Sequence, residues 1–184
     1  KLESFLDGGG VVLRFAGERL AASGADAGGE ALLPVRVRRG DRTLGGALSW
    51  SRPEPLAPFD ATSPFAGIEV PDDVTVSRQV LAEPSIDLGE KTWARLLDGT
   101  PIVTAERRGD GWLVLVHTSA NADWTNLPLS GLFVRMLRRI VALSQGVGGT
   151  SEQAMSPYML LDGFGALGGP VAGTEPLPAA AARA

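Results

Sequence analysis

Residues 117–126, HTSANADWTN, carry the only histidine of the chain inside a run of short polar side chains. An imidazole at His117 with the hydroxyls of Thr118 and Ser119, the amide of Asn121 and the carboxylate of Asp123 within a few residues has the parts of a nucleophilic site. Such a site needs a base, a nucleophile and a group that orients the base. The same residues are also good loop formers, since Asn and Asp side chains bond their own backbone. Trp124 is the one aromatic placed to act as a platform for a sugar or peptide. Asn126 and Arg135, the latter on the helix that follows, complete the candidate binding residues. Burial separates the readings: His117 and Trp124 both buried support a structural crossover, and both lining one cleft support a site.

Composition excludes several chemistries. No cysteine is present, which removes disulfides, thiolate metal sites and a cysteine nucleophile, and one histidine offers little to a metal, so neither a metal nor another cofactor is expected. A formal net charge of −4 argues against nucleic acid as a partner. A hydrophobic fraction of 44% with 21% charged residues is that of an ordinary globular domain. No apolar run approaches the ~20 residues that span a bilayer, and no charged-then-apolar segment opens the chain. Lys1 is not a start methionine, so the chain reads as processed or excised.

The elements that must position the 117–126 segment follow from periodicity. Leu2, Phe5 and Leu6 give the end of a helix, Gly8–Gly10 stop it, and an apolar strand runs over 11–16. Because GGG follows a helix instead of opening one, it reads as a stop and not as a phosphate loop, and GVGG at 146–149 has the same reading. Strands are expected near 34–39, 44–50 and 74–82. Between the last two, residues 51–73 contain five prolines and are expected to form a long ordered loop over the surface. From Thr92 the pattern is a meander of three strands, TWARL, PIVTAE and WLVLVHTS, joined by turns at Asp98-Gly99 and RRGDG. A helix follows, capped by Ser130 after Pro128, with Phe133, Leu137, Ile140, Val141 and Ser144 on one face and Arg135, Arg138, Arg139 and Ala142 on the other. The arginine side reads as a solvated face, and Trp50, Trp93, Trp112 and Trp124 as core or sheet-face packing. Of the forty residues from Gln145 to Ala184, twenty are Gly, Pro or Ala and four are charged, so this tail builds no core of its own, although YMLLDGF could dock on one.

Two stretches carry a family resemblance. LESFLDGGGVVLRFAG resembles the helix-Gly-strand segment of class I glutamine amidotransferase-like domains. Residues 96–143 resemble the end of such a domain in bacterial membrane proteins with an aerotolerance-regulator-type N-terminal region, through Asp98–Pro101, Asp123, Trp124, Asn126, Leu127, Pro128 and Phe133-Val134. The resemblance is close over 1–17 and about 92–144, loose over 18–91 and slight in the tail. It implies a flavodoxin-like α/β sandwich, extracytoplasmic on the periplasmic face of the membrane and carried between transmembrane helices this sequence does not contain. The first strands of the parent sheet are then expected to precede Lys1 or to be rearranged. Glutaminase chemistry needs a cysteine that is absent here.

The sequence therefore predicts an α/β domain with a mixed sheet over 1–144 and an extended tail or linker over 145–184. Its expected role is a non-catalytic interaction or ligand-sensing module of a membrane-anchored protein, with membrane-protein partners or the rest of its own polypeptide. The alternative is a hydrolase-like enzyme using His117, Ser119 and Asp123.

Overall fold

The structure, a computed structural model, describes residues 1–23, 32–44, 52–144, 160–161 and 167–169. It divides into two compact units, Lys1–Gly148 and Gly149–Ala184.

In the first unit, α1 (Leu2–Asp7) ends at the glycine run and leads into β1 (Val11–Phe15), and α2 (Glu18–Ser23) follows directly. Four two-residue strands come next: β2 (Arg42–Thr43), β3 (Glu54–Pro55), β4 (Thr75–Val76) and β5 (Arg78–Gln79). A short helix α3 (Leu88–Lys91) precedes the meander of β6 (Thr92–Arg95), β7 (Pro101–Arg108) and β8 (Gly111–Val116). A 3-10 turn at Leu127–Leu129 then leads into α4 (Gly131–Val141). In the second unit, β9 (Leu160–Leu161) and β10 (Leu167–Gly168) pair antiparallel.

The main sheet has the order β1-β8-β7-β6, with β1 parallel to β8 and the other pairs antiparallel, so it is mixed. The hairpin between β7 and β8 turns at Gly109, whose φ of +57° lies in the region L side chains avoid. Gly111 opens β8 so close to the glycine run that a Cβ there would stand 2.2 Å from the Gly10 carbonyl oxygen. β8 is apolar at successive positions because both of its faces are covered. Val114 and Val116 join a core with Leu132, Met136 and Ile140 of α4, while Leu115 joins a second cluster with Leu20 and Ala21 of α2, Val37, Val80 and Trp124.

Four expectations are corrected. The 34–39 segment forms a single bridge, Val37 with Ala82, because Pro34 and the positive-φ Gly40 bracket too short a window. The 74–82 strand breaks at Ser77 into β4 and β5, where the N–H groups of Ser77 and Arg78 both turn to the Trp124 carbonyl at 2.7 and 3.1 Å. The proline-rich segment also does more than cross the surface. Leu56 and Phe65 are buried, Phe65 stands edge-on to Trp93, and the Ser63 hydroxyl donates to the Trp93 carbonyl at 2.7 Å. On α4 the buried face is Leu132, Met136 and Ile140, with Phe133 and Leu137 at its flank and Val141 half exposed. The sequence stripe is thus rotated by about one position toward the sheet. The 44–50 strand beyond Leu44, Trp50, the 146–149 glycines and most of the tail lie outside the described residues. Among the described residues no helix is long and apolar enough to cross a membrane.

Candidate functional site

His117 leaves the carboxyl end of β8 and is fully buried. Its backbone N–H donates to the Ile102 carbonyl at 2.8 Å, and its carbonyl accepts from the Val80 N–H at 2.8 Å. The ring is held equally firmly. Nδ1 lies 2.8 Å from the Val80 carbonyl oxygen, which can only accept, so Nδ1 carries the proton. Nε2 is then the acceptor for the Thr104 hydroxyl at 2.9 Å. Burial drives the imidazole pKa down from its ordinary 6.5 to about 4, against the opposing pull of the Val80 hydrogen bond, and the ring is neutral at physiological pH.

A hydroxyl donating to an imidazole is the first half of an activated nucleophile. Here both members of the pair are completely buried, and the group on Nδ1 is a peptide carbonyl, not a carboxylate. No substrate carbonyl can approach Thr104, and no anion supports an imidazolium. Of the neighbouring residues named by sequence, Thr118, Asn121 and Asp123 are occupied elsewhere. Asp123 is exposed, its N–H donates to the Asn121 side-chain oxygen at 3.1 Å, and its carboxylate accepts from the Asn121 amide at 3.3 Å, which is a local loop bond. Thr118 donates to the Arg78 carbonyl at 2.8 Å. The structure gives His117 no hydrogen bond to Ser119 or Asp123.

Trp124, only 2% exposed, packs in the core beneath the Arg78 guanidinium, which sits 4.4 Å above its ring. Arg78 is fixed in turn by Asp41 at 2.9 Å, a pairing that raises its pKa and lowers that of Asp41. Asn126 spans the 73–75 segment, accepting from the Thr75 N–H at 2.8 Å and donating to the Asp73 carbonyl at 2.7 Å. Arg135 donates to the Glu69 carbonyl at 3.3 Å. Trp124 and Asn126 thus tether the crossover, and Arg135 tethers α4, to the segments packed beside them. Sequence reading missed Thr104 and Arg78. Thr104 is the one polar residue at the centre of an apolar strand, but its partner depends on sheet register, and Arg78 carries no local signal.

A recess does open nearby, at the carboxyl ends of the parallel pair β1 and β8, where open α/β sheets receive ligands. It encloses about 610 Å³ and is lined by Arg14, Glu18 and Arg19 from the β1 side and by Ser119 and Asn121 from the β8 side. Trp124 borders it, but with so little exposed ring it is a wall edge and not a stacking platform. Among the described residues the recess is lined by two cations, Arg14 and Arg19, one carboxylate, Glu18, and two serine hydroxyls, Ser23 and Ser119, a set suited to binding a polar molecule. Among the described residues no group of three or more His, Cys, Asp or Glu side chains could hold a metal ion. No protein-family model, curated protein or solved structure matches this chain.

Proposed function

We propose that the chain is a non-catalytic module that senses a small polar ligand or docks on a partner, as part of a membrane-anchored bacterial protein. One observation carries the non-catalytic reading: both nitrogens of the only imidazole are spent on buried hydrogen bonds, to Thr104 and Val80. The recess at the ends of β1 and β8 supports ligand sensing. The parallel β1–β8 pair, with α4 on one face and α2 on the other, supports a flavodoxin-like sandwich. The resemblance to amidotransferase-like domains supports attachment to the membrane and placement on its periplasmic face.

The test is an assay of glutamine and activated-ester hydrolysis by the purified chain. The expected result is no turnover above buffer. A histidine general base contributes ~10²–10⁴-fold to a rate, so hydrolysis that falls by that factor in His117→Ala, with melting unchanged, would overturn the reading and establish the hydrolase alternative.

A further inference from the structure

Three arginines from three separate segments line one cleft beside the turn between β6 and β7: Arg38, Arg42 on β2 and Arg95 on β6. The cleft encloses about 490 Å³ and shares no residue with the recess at the ends of β1 and β8. The one carboxylate among its described lining residues, Asp98, accepts from Arg42 at 2.6 Å and is itself held by the Thr100 hydroxyl at 2.6 Å and the Thr100 N–H at 2.9 Å. Thr100 in turn accepts from the fully buried Gln79 amide at 3.0 Å, so Arg42 stands on a relay anchored in the interior.

Among the described residues the other two cations have no carboxylate partner. Arg95 reaches only the carbonyl oxygens of Gly99 and Gly89, at 3.4 and 3.5 Å, and Arg38 forms no ion pair among the described residues. Among the described lining residues, three guanidiniums against one carboxylate leave a local excess of two positive charges, in a chain whose formal net charge is −4. The rest of the cleft wall is apolar, with Leu81, Ala82, Leu88 and Pro101. Planar guanidinium forks match tetrahedral oxyanions with paired hydrogen bonds, and a phosphate monoester carries about −1.5 to −2 at neutral pH.

We propose that this cleft binds the phosphate of a small phosphomonoester, with Arg38 and Arg95 on the phosphoryl oxygens and the ester group against the apolar wall. The test is calorimetric titration of the whole chain at low salt with phenyl phosphate and, separately, with inorganic phosphate. Saturable binding of both is expected, with phenyl phosphate tighter by about tenfold because only it covers the apolar wall. The double variant Arg38→Gln/Arg95→Gln is expected to lose about 100-fold or more in affinity with its melting transition unmoved, since neither side chain makes an ion pair that the fold relies on. No saturable binding up to about 10 mM, or binding unchanged in the double variant, would overturn the site. Equal affinity for the two probes would overturn the role of the apolar wall.

Discussion

A hydroxyl 2.9 Å from an imidazole nitrogen is chemically potent where a substrate can reach it, and Thr104 and His117 hold that geometry at full burial. In that setting the bond is structural. Thr104→Val removes the only donor to Nε2 and keeps the shape, so it should destabilise the domain by ~1–3 kcal/mol, the cost of a buried acceptor left unsatisfied. Thr104→Ser keeps the donor and should recover most of the loss, with both read from denaturant midpoints at constant slope. The importance of His117 is readable in the sequence because it is unique and stands at a strand end. Its partners are not, since Thr104 is 13 residues away and Val80 is 37, and only the sheet register and the path of the 74–82 segment bring them together.

At the scale of elements, the crossover from β8 to α4 acts as a clasp. Trp124 and Leu127 are buried in its second half, the Trp124 carbonyl takes the N–H groups of Ser77 and Arg78, and Thr125 and Asn126 bond the backbone of 73–75. Trp124→Ala should therefore cost ~3–5 kcal/mol, as truncation of a buried large aromatic does. It also removes the ring beneath Arg78. A loss below about 1 kcal/mol in denaturant melts would take Trp124 out of the core. The long periodic elements, β6 to β8 and α4, are specified by local pattern and appear where the sequence places them. The short pairings of β2 to β5 are not specified this way. Each holds two residues, and their positions follow from side-chain anchors such as Phe65 and Asn126 that periodicity does not register.

At the scale of the whole molecule, the mixed sheet with a core on each face follows from the apolar run of β8, whereas the parallel pairing of β1 with β8 is a long-range choice that no local signal encodes. The central claim, that 117–126 is a structural crossover, also has a global consequence. With a folded pKa of about 4 against the ordinary 6.5, the unfolded chain takes up a proton at His117 that the folded chain refuses. This contribution to stability is complete above pH 6.5 and is lost as the pH falls toward 4, for a total of ~3 kcal/mol. Because the chain has one histidine, its titration can be followed without assignment ambiguity by imidazole nitrogen NMR of the folded protein. The account predicts a neutral ring protonated on Nδ1 that titrates near pH 4, together with the acid destabilisation. A ring that titrates near its ordinary 6.5 while the protein stays folded would contradict it, because such a histidine would be open to solvent and free to act as a base.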